Sequence, residues 1–286
     1  MAWTYEAAPD LSDQQFALWS QLLEMRVGVR LGQHQRQFLQ SQVGMRMREL
    51  GEESFSDYFH RVTDAPNAQL EWAILVDRLV VKETTFFRHK PSLNYVAHFL
   101  QDRINAQKLG SSFDIWSLGC SSGEEAYSLA MVTNESFELA QLEQQFSVTA
   151  TDISRVAISL AKAATYPARK LEFVPASFKR KYFVEMADAN YRFQHPVVSK
   201  MCFSCSNILN LDDMPSLDFD VVYCQNLLVY FQQSLRHKLL DSIVKKMKPG
   251  ALLVIGLGEV TSWSNDQLQR IQRPEVQAYV KPVSNN

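Results

Sequence analysis

The chain has 286 residues, of which 46% are hydrophobic and 21% charged, a globular composition that excludes a disordered tail, a fibre or a coiled coil. Its 29 basic and 31 acidic side chains leave a net charge of −2, too little for a global field that would hold nucleic acid or an anionic membrane. No run reaches the about 20 apolar residues of a membrane span, residues 1–6 lack the basic start and apolar stretch of a signal peptide, and four cysteines are too few for a disulfide scaffold, so a cytoplasmic protein is expected.

Residues 1–80 read as helices only. Ser12 and Gln15 fit a capping box, after which Phe16, Trp19, Leu22 and Leu23 recur at helical spacing. Gly28 and Gly32 bracket a connection, and Leu39, Val43, Met47 and Leu50 mark a second helix that stops at Gly51. A further helix carries Trp72, Leu75, Leu79 and Val80. Residues 81–286 have a different texture, with short apolar runs at 113–118, 148–152, 219–224 and 252–256. Helical patterns lie between them, through Ala126–Val132, Ala157–Ala164 and Leu235–Ile243. Strands alternating with helices predict βαβ units and a parallel sheet covered on both faces. Residues 165–206, with Pro167, Pro175 and Pro196, interrupt that alternation and are expected to form a small insertion.

In such a sheet the ligand sits at the carboxyl ends of the strands. The first strand runs into Gly119-Cys120-Ser121-Ser122-Gly123-Glu124-Glu125, where glycines permit close approach and the next helix turns its free amides to the ligand. Two carboxylates there disfavour a pyrophosphate and favour a ligand with hydroxyls and a cationic group. The second strand ends in Asp152, which is either a ribose acid or the cap of the next helix. The third ends in Cys224-Gln225-Asn226, amides suited to an adenine edge or an amino-acid tail. Together these describe an S-adenosylmethionine methyltransferase better than a dehydrogenase.

Four motifs then occur in order: Thr84-Thr85-Phe86-Phe87-Arg88, the stretch Gly119 to Ser128, Ala150-Thr151-Asp152-Ile153, and Cys224-Gln225-Asn226-Leu227-Leu228-Val229-Tyr230-Phe231. From Phe16 to Trp263 the chain closely resembles the CheR-type chemotaxis methyltransferases, which methylate glutamate side chains of chemoreceptors. The resemblance implies a Rossmann-like class I methyltransferase sheet, a helical receptor-docking front and a small inserted β-subdomain. It implies cofactor contacts at Thr84, Arg88, Glu125, Asp152, Asn207, Ile208, Gln225 and Asn226, with Arg88 and Tyr230 near methyl transfer. The cofactor would be S-adenosyl-L-methionine, the product S-adenosyl-L-homocysteine, and the partner the cytoplasmic helices of methyl-accepting receptors. The chain departs from the family pattern at Lys82, Ala126 and Gln225, the last replacing an arginine, and has lost a His-Ser before Glu259.

Five arginines, Arg26, Arg30, Arg36, Arg46 and Arg48, occur between Met25 and Arg48 with no acidic residue. They read either as a solvated surface or as a cradle for an acidic receptor helix. A second basic stretch, Arg155 to Lys181, lacks the interleaved aromatic platform of a single-strand binder, and no nucleic acid is expected. Cys202-x-x-Cys205 has no second pair to complete four zinc ligands, so no metal is expected. The six histidines are scattered and read as structural or exposed. The loop 182–191 contains no glycine, which disfavours adding a receptor tail as an edge strand. A monomer is expected. The alternatives are a diverged non-catalytic cofactor-sensing or partner-binding module of a chemosensory array, and a methyltransferase acting on RNA or a small molecule.

Overall fold

The computed structural model describes residues 10–143, 145–214 and 218–283; the segment 1–6, where no signal peptide is expected, lies outside them. The chain divides into two compact units, Met1–Val81 with Tyr230–Gln232, and Lys82–Val229 with Gln233–Asn286.

The first unit is helical. Helix α1 (Asp13–Val27) starts at the expected capping box, with the Gln15 amide donating to the Ser12 hydroxyl and the Ser12 amide to the Gln15 side chain. It ends at Gly28, whose φ of 81° is left-handed. Helix α2 (Arg36–Leu50) buries Leu39, Val43 and Met47. Helix α3 (Phe55–Thr63), capped by Ser54, has no counterpart in the periodicity reading, and helix α4 (Ala68–Leu79) buries Leu75 and Val76. Trp19 sits at the centre, stacked on Tyr58 with ring centroids 5.7 Å apart and edge-on to Phe59 at 5.1 Å. The segment 230–232 joins this unit through a bridge between Phe231 and Val29 and a hydrogen bond from Gln232 to Glu24.

Most of the arginine stretch is spent inside the unit. Arg26 donates to the Val62 carbonyl at 3.1 Å and lies 5.0 Å over the Trp72 ring. Arg36 donates to the Leu11 carbonyl at 3.0 Å and pairs with Asp13. Arg46 grips the buried Glu71 carboxylate with two nitrogens, at 2.8 and 2.7 Å. Exposed arginines from the stretch are Arg30 and Arg48. The expected five-residue docking surface is corrected accordingly: charge counting along the chain does not reveal carbonyl and carboxylate partners supplied by other helices.

The second unit opens with helix α5 (Lys90–Asn105) and then alternates: β1 (Phe113–Leu118), α6 (Glu124–Leu139), β2 (Phe146–Asp152), α7 (Arg155–Ala163). After β3 (Thr165–Pro167), α8 (Ala176–Tyr182), β4 (Phe183–Glu185) and β5 (Asn190–Phe193) come β6 (Met201–Cys205), β7 (Phe219–Cys224), α9 (Gln233–Lys245) and β8 (Met247–Ile255). Strands β9 (Gln269–Arg270) and β10 (Gln277–Val280) complete it. The main sheet has the order β6-β2-β1-β7-β8-β10-β9, parallel from β6 to β8 and antiparallel at β10 and β9. The two antiparallel strands lie outside the runs read from the sequence; both are short, and their sequence shows no sustained apolar run. Every residue of β7 is buried, as a strand covered on both faces requires. Its one charge, Asp220, accepts the Asp114 amide at 2.9 Å and Lys248 at 2.6 Å.

Strands β3, β5 and β4 form a separate antiparallel sheet. The expected insertion over 165–206 is therefore shortened: Met201–Cys205 pairs in parallel with β2, from Val148↔Met201 to Asp152↔Cys205, and belongs to the main sheet. Cys202 and Cys205 on this strand are exposed and not joined in a disulfide. No helix is long and apolar enough to cross a membrane among the described residues.

Glu71 ties α4 to Arg46 of α2 and to Tyr58 of α3, whose hydroxyl donates at 2.7 Å. Removing one member of a buried ion pair leaves the other charge uncompensated. Glu71→Ala should therefore cost about 3 kcal/mol of unfolding free energy, at the lower end of the buried-pair range because Arg46 keeps some solvent access. Urea denaturation with an unchanged midpoint would refute this.

Candidate cofactor site

Strand β1 has β2 on one side and β7 on the other, so the switch in strand order falls at its carboxyl end. Here the backbone turns sharply, with φ of 72° at Gly119, 49° at Ser121 and 93° at Gly123. The Gly119 and Cys120 amides both donate to the Thr151 carbonyl, at 2.8 and 3.0 Å, and the Ser121 amide donates to Asp152 Oδ2 at 2.8 Å. A Cβ at Gly123 would lie 2.9 Å from the Ala161 Cβ and 3.2 Å from the Tyr166 hydroxyl; one at Gly119 would lie 3.0 Å from Leu227. Glycine is thus required for both conformation and close approach. Helix α6 starts immediately, with Glu124 and Glu125 in its first turn, where the helix dipole favours anions.

Asp152 resolves one of the sequence alternatives. Ser154 caps α7, its hydroxyl accepting the Ala157 amide at 3.0 Å, while Asp152 Oδ1 accepts the Ser154 amide at 2.8 Å. Asp152 therefore stands before the cap and straddles two strand-end turns. The Ser206 amide donates to the Asp152 carbonyl at 2.9 Å, bringing the tip of β6 alongside. Beyond it, Asn207 accepts the Leu209 amide at 3.0 Å and opens the 3-10 turn Ile208–Asp213; Asn207 and Ile208 are both half-buried.

Glu125 keeps partial solvent access, and its Oε1 accepts the Ser117 hydroxyl at 2.7 Å. Burial pushes its carboxyl up to about 8; the Ser117 hydrogen bond and the Arg88 charge oppose this, and the charges of Glu259 and Asp152 add to it. The segment from Lys82 to Arg88 lies against this turn, the Ser121 hydroxyl donating to the Lys82 carbonyl at 2.9 Å. Thr84 is buried. Phe86 packs edge-on to Tyr166 and Phe183 at 4.9 and 5.3 Å. Phe87 is a buried aromatic with φ of 53°, held by a 3.0 Å hydrogen bond from its amide to Ser128. Arg88 follows on the surface and donates to the Glu83 carbonyl at 3.1 Å.

At the tip of β7 the Gln225 side chain turns inward. Its amide nitrogen donates to Ser92 at 2.8 Å and its oxygen accepts the Tyr223 hydroxyl at 3.1 Å. The side chain expected to face a ligand is thus committed to the interior, and only the Gln225 backbone remains at the tip. The reason is the length and neutrality of the amide, which can satisfy both buried hydroxyls. Asn226 is exposed, with φ of 57°. Its amide and that of Leu228, the latter at 2.9 Å, donate to the buried carboxylate of Glu259. Burial raises the Glu259 carboxyl and these two amides hold it down. Composition does not signal this role, because the amides lie 33 and 31 residues away. Tyr230 ends the 3-10 turn Leu228–Tyr230 and is placed in the helical unit.

The structure thus brings Thr84, Arg88, Glu125, Asp152, Asn207, Ile208 and Asn226 to the strand-end side of one unit. Acceptors at two strand tips, glycines that keep the backbone bare, and a carboxylate in the first turn of α6 suit a nucleoside with ribose hydroxyls and a cationic amino-acid tail. Among the described residues no group of three or more His, Cys, Asp or Glu could hold a metal ion.

A mostly parallel sheet with this glycine turn and strand-end acid defines an S-adenosylmethionine-dependent methyltransferase domain. Residues 82–277 match the family described as CheR methyltransferase, SAM binding domain, and residues 14–80 its all-alpha domain. The chain belongs to the CheR methyltransferase family, and its cofactor is S-adenosylmethionine. It is 30% identical to chemotaxis protein methyltransferase 1 of Pseudomonas aeruginosa, over 90% of this chain and 94% of that one. It is 28% identical to chemotaxis protein methyltransferase 2 of Vibrio cholerae, over 88% and 87% of the two chains.

A carboxyl whose folded-state pKa is raised favours folding while protonated; that contribution is complete below the ordinary carboxylate range and is lost as pH rises through about 8. From about pH 5 to about pH 9 the melting temperature of Glu125→Gln should therefore fall less than that of the wild type. Parallel curves would show that Glu125 ionises in the ordinary range.

Proposed function

We propose that this chain transfers the methyl group of S-adenosylmethionine to glutamate side-chain carboxylates on the cytoplasmic helices of chemoreceptors, working in the cytoplasm as a monomer. Support comes from the joint match of both the helical and the cofactor-binding segments to the same family, and from relatives named chemotaxis protein methyltransferases that match over most of their own length.

The chemistry asks little of the protein beyond placement. A glutamate carboxylate has an unperturbed pKa of about 4.3 and arrives ionised, so no general base is needed. The bound cofactor supplies an electrophilic sulfonium methyl. Alignment of well-oriented reactants lowers a barrier by up to about 7–11 kcal/mol. Four of the six histidines fit such a scheme, being engaged locally. His60 pairs with Asp64, His98 bonds the Asn94 carbonyl at 2.7 Å, and the rings of His89 and His195 accept the Ser92 and Val197 amides. Glu125, Asp152 and the backbone at Gln225 and Asn226 would hold the cofactor. Arg88, close enough to lower the pKa of Glu125, would orient the incoming carboxylate loosely, since a tight grip would stabilise the nucleophile before attack. Receptor docking falls to the helical unit, where Arg30 and Arg48 of the arginine stretch are exposed.

The test is methyl transfer from labelled S-adenosylmethionine to receptor-containing membranes. Base-labile label is expected, because carboxyl methyl esters hydrolyse in alkali; alkali-stable label would indicate RNA or a small molecule, and no transfer a non-catalytic module. By calorimetry Asp152→Asn, which keeps one acceptor for the turn, should bind S-adenosylhomocysteine at least about tenfold more weakly, as expected for one charge-assisted hydrogen bond.

The insert bears on how the receptor is found. Its hairpin closes with the Met186 amide donating to the Asn190 carbonyl at 2.7 Å, and Asp188 and Ala189 adopt φ of 59° and 55° without any glycine. Side chains at these positions hinder the close backbone approach of an added strand, and β4 has only three residues. Deleting the last roughly 35 residues of the cognate receptor, the reach of a flexible linker, should leave the methylation rate unchanged. A large loss restored by fusing the tail back would show strand addition at the insert.

A further inference from the structure

Lys170 lies in the insert, in the 3-10 turn Ala168–Leu171 after β3. Its ammonium is not part of a solvated basic face. It donates to the Thr84 carbonyl at 2.6 Å and sits 3.1 Å from Oε1 of Glu124, a side chain with no solvent exposure. The other Glu124 oxygen accepts the Ser122 hydroxyl at 2.7 Å. Glu124 is the residue between Gly123 and Glu125. One cation from outside the main sheet therefore joins the Thr84–Arg88 segment to the glycine turn. Tyr166, also from the insert, repeats the bridge: its hydroxyl donates to the Ser122 carbonyl at 2.7 Å while its ring meets Phe86. Lys181 of the same basic stretch behaves differently, pairing with the partly exposed Glu135 and Glu138.

We propose that Lys170 is a positioning residue for the cofactor, holding the Thr84 carbonyl against the first turn of α6 so that Thr84 and Glu125 are presented at a fixed spacing. This rests on the assignment of those two residues to the cofactor site. A charged donor fixes a carbonyl more firmly than a neutral one, and the same ammonium lies 3.1 Å from the buried Glu124 side chain. Coupling between sites is reciprocal. If the insert fixes the cofactor segments, a bound cofactor must in turn order the insert.

The experiment uses the full chain and S-adenosylhomocysteine as probe, with calorimetry for affinity, thermal melting for fold and amide hydrogen exchange for order. Lys170→Met/Glu124→Gln removes both charges of the pair together, so it should melt near the wild type yet bind at least about tenfold more weakly. Lys170→Arg should recover most of that affinity. In the wild type the probe should slow exchange across 165–171, and in the double variant it should not. At saturating cofactor the turnover of the double variant should fall much less than its affinity. Wild-type affinity in the double variant, or exchange across 165–171 indifferent to the probe, overturns the proposal. Asp152→Asn separates the two levels: if it loses affinity while the double variant keeps it, Lys170 alone has been misassigned, and if both keep it, the cofactor site itself has been misplaced.

Discussion

The carboxylate of Asp152 receives one amide from the turn after β1 and another from the turn after β2. Charge-assisted hydrogen bonds of this kind are roughly twice as strong as neutral ones, and here they fix two strand ends against each other. The rest of the site follows from that tie. With the Ser121 amide held, the chain must reverse through Gly119 and Gly123, and α6 then begins where Glu124 and Glu125 face the strand ends. With the Ser154 amide held, α7 begins one residue later under its own serine cap. The Ser206 amide on the Asp152 carbonyl brings in the tip of β6. Asp152 thus ties together the ends of three strands, β1 and β2 through its carboxylate and β6 through its carbonyl.

The strand ends are rich in carboxyl groups. Glu124 pairs with Lys170, two backbone amides donate to Glu259, and burial raises the Glu125 carboxyl. Carboxyl groups so placed disfavour a phosphate and suit a ligand with hydroxyls and a positive charge. This explains why a sheet of dinucleotide-binding type serves a sulfonium cofactor here, and why the first-turn acids, which would be a liability in a phosphate-binding loop, are tolerated.

Much of this was legible in the residues. The runs that became β1 and β7 have the predicted limits, because strands buried on both faces are mostly apolar, each here interrupted by one aspartate at its second residue. The capping box at Ser12 and the stripe from Leu39 to Met47 also appear as read. Helices α3 and α5 escaped notice: α3 is short and α5 mixes its apolar residues with polar ones. The arginine stretch misled for a different reason. A run of like charges in sequence says nothing of the carbonyls and acids that other helices bring to it, and Arg26, Arg36 and Arg46 proved to be internal fasteners. Gln225 was legible as a residue at a strand tip, but not as one facing inward, since Ser92 lies 133 residues away. Long-range pairs of this kind are set by topology, and a local pattern does not encode them.

Glu259 and Gly256 form another such pair, at close range. A Cβ on Gly256 would lie 1.6 Å from Oε1 of Glu259, so the carboxylate that holds the turn after β7 occupies the volume a side chain would need. The two positions are therefore bound in mutational order. A side chain could be accepted at 256 only after the carboxylate at 259 had been shortened or turned away, and that first step would release the amides of Asn226 and Leu228. Every route by which this segment might diverge passes through a chain with a loosened third strand tip, which makes the glycine far harder to replace than its position beyond the strand would suggest.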